Sequence, residues 1–172
     1  MNATRLQTGK LELDLAPLDL GPLVARTVEM VQVLAQGQTI TYATPTKPVM
    51  VTGDAGRLEQ VVVNLLTNAI THAPGTERID VSLHSDDRTA AVIVRDVGPG
   101  IPVEALETIF GRFVQVNPHK RPGRAGLGLG LYIAREIIEA HGGTITADSA
   151  PGEGATFMVR LPLLKDARQR DP

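Results

Sequence analysis

Cysteine and tryptophan are both absent from this chain of 172 residues, and each absence excludes something. Without cysteine there is no disulfide, no thiolate nucleophile and no zinc–thiolate site, which suits a reducing compartment. Aromatic residues make up only 3% of the chain, so aliphatic side chains must build the core. No apolar run approaches the roughly 18 residues of a membrane span, and no signal-peptide pattern is present. We therefore expect a soluble, cytoplasmic domain without direct membrane contact.

An excess of charge of one sign is also lacking. The chain has 17 Lys and Arg against 19 Asp and Glu, for a net charge of −2. A chain-wide basic face for duplex DNA is not expected, so we predict no nucleic-acid partner. Apolar residues at 42% and charged residues at 21% are typical of a globular domain with one core.

Glycine and positive charge are concentrated in one part of the chain. Seven of the 17 glycines fall between Gly98 and Gly130. Between Thr108 and Arg135 there are five basic residues and no acidic one. A nearly neutral protein with this concentration favours an anionic ligand in that segment.

Hydrophobic periodicity predicts three long helices and six or seven strands. Asp19 is predicted to cap the first helix, Asp54 caps the second, and Leu129–Ala140 is the third, with a short helix at about Val103–Phe110. Helices inserted between antiparallel-looking hairpins predict an α+β fold, a two-layer α/β sandwich with a mixed, mostly antiparallel sheet covered on one face by helices. The strand candidates are Lys10–Leu15, Gln38–Ala43, Val49–Thr52, a strand with Ile79, Val81 and Leu83, Ala91–Val94, Thr144–Ala147 and Ala155–Leu161.

The helix after Asp54 carries a polar stripe beside its apolar one. Gln60, Asn64, Asn68 and His72 recur at intervals of four residues, so they share one side of the helix. Asparagine is a mediocre helix former, and two in register need a reason. They either bond to a neighbouring backbone or act as neutral oxygen ligands of Mg²⁺, and the helix alone leaves both open.

The segment Asp96–Pro102 directly follows a buried strand. A carboxylate at a strand end can accept a hydrogen bond from an exocyclic amine, while Gly98 and Gly100 let a flat ring approach the backbone. The alternative is an ordinary turn with a solvated aspartate.

A second glycine-rich run, Gly126–Leu131, opens a helix. Its alternating glycines expose backbone N–H groups next to the positive end of the helix dipole, a combination that can cradle phosphates. The run matches neither the dinucleotide-binding fingerprint nor the lysine-containing P-loop. The alternative is a flexible entry to the helix.

Together and in this order, the three motifs resemble those of the ATP-binding catalytic domain of bacterial sensor histidine kinases. These domains belong to the wider gyrase, heat-shock-90 and MutL type of ATPase, with a Bergerat-type fold and a flexible ATP lid. The resemblance covers about Lys10–Leu163. The matching segments are Gln60–Ala69 (N box), Asp96–Gly100 (G1 box), Ile109–Phe113 (F box), Gly126–Leu131 (G2 box) and the hairpin Gly152–Phe157.

The resemblance implies ATP and Mg²⁺ as cofactors. Asn68 would coordinate Mg²⁺ with Asn64 beside it, and Asp96 would receive the adenine amino group, with Thr156 acting through water. Arg112, Lys120, Arg121 and Arg124 are the candidates for neutralising charge on the γ-phosphate, and the alternative for each is a residue that only solvates the lid. Among them, Arg112 is counted with Asn64 and Asn68 as catalytic. The other nucleotide-binding residues that it implies fall into four groups. They are Gly98, Gly100 and Ile101 near the base, Phe110 and Phe113 as lid anchors, Lys120, Arg121 and Arg124 in the lid, and His72, Gly126, Leu127, Gly128, Leu129, Gly130 and Leu131 toward the phosphates.

Two positions depart from the family pattern. Thr71 stands where the family often has a lysine, so one phosphate contact is missing or replaced. His72 either replaces it or is a surface residue at the helix end. Leu127 stands where a hydroxyl residue is frequent, which leaves the backbone donors intact.

None of the four histidines has the sequence context of the family's phosphoacceptor. We therefore expect the acceptor on a separate dimerisation domain of the same kinase, followed by transfer to the receiver domain of a response regulator. Residues 1–9 would be the remnant of the preceding hairpin, 10–163 the catalytic domain and 164–172 a polar tail.

Two alternatives have the same core. One is a degenerate module that binds nucleotide or a partner and transfers nothing. The other is a serine kinase of the anti-sigma type. A gyrase-type conformational ATPase fits less well, because it would need a glutamate where this chain has Asn64.

Overall fold

The structure is a computed structural model that describes residues 11–35, 37–73, 75, 77–116 and 128–165. The predicted N-terminal remnant and residues 166–172 of the predicted tail lie outside the described residues. Within them, the elements in chain order are β1 (Ala16–Asp19), α1 (Leu20–Gln32), β2 (Thr39–Tyr42), β3 (Met50–Gly53), α2 (Ala55–His72), β4 (Arg78–Ser85), β5 (Thr89–Asp96), α3 (Val103–Leu106), α4 (Gly130–Ala140), β6 (Thr144–Ser149) and β7 (Ala155–Pro162).

Five strands form the main sheet in the order β2-β4-β5-β7-β6. β2 runs parallel to β4, and the other neighbours are antiparallel, which confirms the predicted mixed, mostly antiparallel sheet. β1 and β3 form a separate antiparallel pair, which a bridge between Val51 and Leu163 connects to the end of β7.

The core lies between this sheet and the three long helices. Alternate residues of β4, β5 and β7 are buried, as period-two strands with one covered face require. Each helix contributes one apolar stripe to the same cluster. The fully buried side chains of this cluster include Leu20, Val24, Val31, Leu65, Leu66, Ile79, Val94, Ile137, Ile138 and Phe157. Within the described part of the chain, no helix combines the length and hydropathy needed to cross a membrane.

Both predicted aspartate caps are confirmed. Asp19 Oδ1 accepts from the Gly21 N–H at 3.1 Å, and Asp54 Oδ1 accepts from the Arg57 N–H at 3.1 Å. Burial of Asp54 acts to raise its pKa, but hydrogen bonds from the Asp14 and Arg57 amides outweigh burial, and the pKa is lowered. The cap therefore contributes stability that is present at neutral pH and is lost as the pH falls through this lowered value.

The first strand and the short helix differ from the prediction. The structure has no strand at 11–15, and β1 begins at Ala16 instead. The Asp14 N–H donates to Asp54 Oδ2 at 3.0 Å, so a side chain takes the hydrogen bond that a neighbouring strand would need. α3 ends at Leu106 rather than at Phe110.

His141 connects the two helices that flank the candidate site. It follows the last residue of α4, and its Nε2 accepts from the Asp54 N–H at 3.0 Å, at the start of α2. Its Nδ1 donates to the Ile137 carbonyl oxygen at 2.7 Å, so the ring is a neutral tautomer with its proton on Nδ1. One imidazole thus fixes the end of α4 against the beginning of α2.

Replacing this imidazole should lower stability. His141→Ala leaves the Asp54 N–H without its acceptor and removes packing beside Gly53. We expect the free energy of unfolding to fall by about 1–3 kcal/mol, measured by urea denaturation. His84→Ala, on the exposed end of β4, is the matched control and should change little. Equal stability of the two variants would contradict a tie between the helices.

Candidate functional site

Asp96 occupies the last position of β5 and is only 4% exposed. Its Oδ1 accepts from the Gly98 N–H at 2.9 Å and from the Ala155 N–H at 3.3 Å. Among the residues that the structure describes, Oδ2 accepts no hydrogen bond. Burial raises the pKa of Asp96, although the two amide bonds and the nearby His72 act to lower it. Asp96 is thus a buried residue whose second carboxylate oxygen keeps its capacity to accept from a ligand.

The loop after Asp96 is pressed between the end of α2 and the turn that joins β6 to β7. A Cβ added at Gly98 would lie 2.7 Å from the Cβ of Ala73, which is closer than real contacts allow. Gly100 has a φ of +78°, and a Cβ there would overlap the carbonyl oxygen of Ala150. Both glycines that the sequence assigned to a flat ligand are thus also required by the fold.

Ser149 is a residue of this region that the sequence analysis missed. Its Oγ accepts from the Ile101 N–H at 2.8 Å and donates to the Gly154 carbonyl at 2.5 Å. The predicted site residue Ile101 is half-buried against the core. A serine at the end of a strand gives no local signal of such a role. One partner, Ile101, is distant in sequence, and the other, Gly154, lies in the turn that follows the strand.

The structure separates the two asparagines of the α2 stripe. Asn64 Nδ2 donates to the carbonyl oxygen of Gly130 at 3.0 Å and so bonds to a neighbouring backbone. Asn68, one turn further on, makes no side-chain hydrogen bond with any residue that the structure describes. The structure therefore shows the backbone bond for Asn64, whereas Asn68 keeps its amide oxygen available. His72 is exposed in the last turn.

The start of α4 lies against the segment that follows α3. Gly128 has a φ of +72°, and a Cβ there would lie 2.8 Å from the carbonyl oxygen of Val114. Leu129 is the N-cap residue and makes no side-chain capping bond, and Leu131 packs partly buried on the core. The predicted phosphate and lid residues Lys120, Arg121, Arg124, Gly126 and Leu127 lie outside the described residues.

The two predicted lid anchors differ in burial. Phe110 is 9% exposed and meets Phe157 edge-to-face, with ring centres 6.3 Å apart. Phe113 has a φ of 58°, a left-handed conformation that is uncommon outside glycine, and its side chain is 67% exposed. Phe110 therefore anchors this segment in the core, whereas Phe113 does not.

Arg112 is held by a tyrosine that the sequence analysis did not consider. Its Nη2 donates to Tyr132 Oη at 2.8 Å, and its guanidinium carbon lies 4.8 Å from the centre of the Tyr132 ring. Tyr132 is in the first turn of α4, next to the glycine-rich run. The guanidinium is therefore positioned beside the helix end that the sequence assigns to phosphates.

The prediction for Thr156 needs correction. Thr156 pairs with Arg95, whereas Ala155 is the neighbour whose N–H reaches Asp96. Because side chains alternate along a strand, Thr156 lies on the opposite face of the sheet from Asp96. The residue of β7 that lies on the same face as Asp96 is Ala155, one position earlier, and Thr156 is left out of the site.

Comparison with known proteins agrees with this geometry. The family model "Histidine kinase-, DNA gyrase B-, and HSP90-like ATPase" matches residues 53–165. That range holds α2, the Asp96 loop, the start of α4 and the β6–β7 hairpin. The match covers more than half of the chain, and the chain belongs to this ATPase family.

Its relatives include sensor histidine kinases. The adaptive-response sensory kinase SasA of Thermosynechococcus vestitus is 38% identical over 164 residues, which cover 94% of this chain and 43% of the relative. Sensor histidine kinase TrcS of Mycobacterium tuberculosis is 40% identical over 167 residues, which cover 94% of this chain and 32% of the relative. The chain spans less than half the length of these relatives, and it is an ATP-binding catalytic domain of the sensor histidine kinase type.

Solved structures confirm the fold. Full-length ShkA in complex with AMPPNP has a TM-score of 0.78 at 29% identity, covering 93% of this chain and 33% of that one. The mycobacterial sensor histidine kinase MprB has a TM-score of 0.75 at 28% identity, covering 88% of this chain and 99% of that one. The predicted two-layer α/β sandwich is therefore correct.

Adding one methyl group at Gly98 should weaken nucleotide binding. In Gly98→Ala the new Cβ meets Ala73, so the loop must move and carries its N–H away from Asp96. We expect ATP affinity to fall about ten- to hundredfold by calorimetry. Gly56→Ala, in the open first turn of α2, is the control. Unchanged affinity in Gly98→Ala would contradict the close approach.

Nucleotide affinity should also depend on the charge of Asp96. Because burial raises the pKa of Asp96, protonation begins at a higher pH than for an exposed aspartate. The protonated carboxyl is a weaker acceptor, so ATP affinity should fall as the pH drops through this raised pKa. Calorimetry from neutral to acidic pH compares the wild type with Asp96→Asn, in which the nucleotide phosphates titrate identically. Parallel curves for the two proteins would refute the assignment.

Proposed function

We propose that this domain binds ATP with Mg²⁺ and presents the γ-phosphoryl group to a histidine on a separate dimerisation domain of the same kinase. A response regulator receiver domain would then take the phosphoryl group. The observation that carries the proposal is the buried Asp96 carboxylate, which has one oxygen held by two amides and the other available.

Asp96 would recognise the base. An ionised carboxylate oxygen accepts a hydrogen bond from the amino group of adenine, whereas the O6 oxygen of guanine would face it without a proton between them. The loop at 97–101 supports this role, since Gly98 and Gly100 bring its backbone close to α2 and to the β6–β7 turn. The site therefore favours ATP over GTP.

Asn68 would hold the metal. Mg²⁺ needs only one or two protein oxygens besides phosphates and water, and the Asn68 amide has no other partner among the described residues. When bound, the ion supplies positive charge that neutralises the phosphates. Asn64 supports the same site indirectly, because its bond to Gly130 fixes the first turn of α4 beside α2.

The opposite end of the nucleotide would meet the start of α4. Gly128 and Gly130 leave the backbone there without side chains, and the N-terminal dipole of the helix favours negative charge. Arg112 lies beside this turn through its bond to Tyr132. Lys120, Arg121, Arg124, Gly126 and Leu127 remain predicted contributors from the sequence.

Phosphoryl transfer needs little covalent chemistry from the protein, because positioning and charge neutralisation supply most of the catalysis. The residues assembled here bind and orient, and the proposal assigns none of them as nucleophile or base. The nucleophile would be the imidazole of the acceptor domain, which attacks phosphorus while the terminal bridging oxygen leaves with ADP.

The test combines binding with transfer. Calorimetry with ATP and Mg²⁺ measures affinity, and labelled ATP with an added phosphoacceptor hairpin of a related kinase measures transfer to histidine. Asn68→Ala should lose the Mg²⁺-dependent part of binding and all transfer, because the metal loses its protein oxygen. Gln60→Ala is the matched control and should retain both, because Gln60 lies on the same stripe of α2 and its side chain bonds, among the described residues, only to Arg57.

Two results would count against the proposal. Failure of the folded wild-type chain to bind ATP would remove the nucleotide site. Binding without transfer to any supplied hairpin would instead favour a module that holds nucleotide and transfers nothing.

A further inference from the structure

We propose that Ser149 is a positioning residue that sets the selectivity of this site for adenine over guanine. Its hydroxyl forms hydrogen bonds that connect the β6–β7 turn to the loop at 97–101, and these bonds hold the Asp96 carboxylate in its orientation. The inference rests on the proposed binding of ATP and adds a determinant outside the residues that would touch the nucleotide.

The Ser149 hydroxyl is both an acceptor and a donor of hydrogen bonds. The oxygen accepts from the Ile101 N–H at 2.8 Å, and the proton is donated to the Gly154 carbonyl at 2.5 Å. A hydroxyl can be donor and acceptor at once, so this one side chain joins two loops that are about fifty positions apart in sequence. We call this pair of bonds the Ser149 clamp.

The other contacts between the two loops come from the backbone. The Gly152 N–H donates to the Pro99 carbonyl at 2.7 Å, and Gly100 lies directly against the carbonyl of Ala150. Ser149 is therefore the side chain through which the contact can be weakened without changing the backbone of either loop.

The clamp acts on Asp96 because it joins the loop that carries one donor to the turn that directly precedes the other donor, Ala155 at the start of β7. Gly98, on one side, donates to Asp96 Oδ1 at 2.9 Å. Ala155, on the other side, directly follows the clamped Gly154 and donates to the same oxygen at 3.3 Å. While the clamp joins the two segments, both N–H groups point at Oδ1, and this fixes the direction of Oδ2. Without the clamp fewer bonds hold the two donors at their present separation, and we expect the longer bond to be lost first.

Selectivity is the property most sensitive to this change. A fixed Oδ2 gains a hydrogen bond from the adenine amino group and opposes the O6 oxygen of guanine. A carboxylate that can rotate loses the hydrogen bond from the adenine amino group. The same rotation also removes the repulsion between Oδ2 and guanine O6. Loosening the clamp should therefore lower the affinity for ATP, while the affinity for GTP stays level or rises. If Ser149 had a purely structural role, its substitution would lower the affinities for ATP and GTP by the same factor.

The experiment measures ATP and GTP affinities by calorimetry with Mg²⁺, at a temperature where denaturation curves show each variant folded. Ser149→Ala should lower the ATP affinity about five- to thirtyfold without lowering the GTP affinity, so the selectivity falls by at least that factor. Ser149→Thr keeps the hydroxyl and should stay within about threefold of the wild type. Thr146→Ala, an exposed residue of the same strand, is the control.

Ser149→Val provides a second comparison in case the alanine variant does not fold. Valine and threonine have nearly the same shape. The ratio of the ATP-to-GTP selectivities of Ser149→Thr and Ser149→Val therefore measures the contribution of the hydroxyl group alone. Unchanged selectivity in both Ser149→Ala and Ser149→Val, with the wild type binding ATP, would overturn the role of Ser149 and leave the nucleotide site standing. Lack of ATP binding by the wild type would overturn the proposed function together with this inference.

Discussion

The buried carboxylate of Asp96 is the constraint on which the geometry of the site depends. Taking a carboxylate out of water is costly unless hydrogen-bond donors replace the lost hydration. The fold supplies them as two backbone amides, one from the loop after β5 and one from the start of β7. Those amides can converge only if both loops approach closely, which explains the glycines that leave no room for a side chain at Gly98, Gly100 and Gly154.

Local features of the fold could be predicted because they depend on interactions between residues that are close in sequence. Asp19 and Asp54 each cap a helix by bonding to an amide within three positions, so the sequence contains both partners. The stripe Asn64–Asn68 was identified for the same reason, since helical spacing follows from the chain itself. Its two members could not be told apart, because the partner of Asn64 is Gly130, 66 positions away.

The errors have the same physical origin. The resemblance assigned Thr156 to the site, but Thr156 is one step along the strand from Ala155, and a single step moves a side chain to the other face. The expected strand at 10–15 failed because the Asp14 amide bonds to a distant carboxylate. Ser149 and Tyr132 were not anticipated, since a lone serine or tyrosine acquires its role only when tertiary contacts supply a partner. The sequence therefore identifies a candidate site, and the contacts that position its groups required the structure.

The donor that Ala155 provides to Asp96 comes from 59 residues later in the chain. Synthesis proceeds from the N-terminus, so β5 and the Asp96 loop emerge well before the strand that completes their hydrogen bonds. Until β7 inserts between β5 and β6, Asp96 has only one of its two amide donors. The nascent domain thus completes the hydrogen bonds of Asp96 only when the β6–β7 hairpin joins the sheet, so assembly of the sheet and ordering of the proposed base-recognition site become a single event.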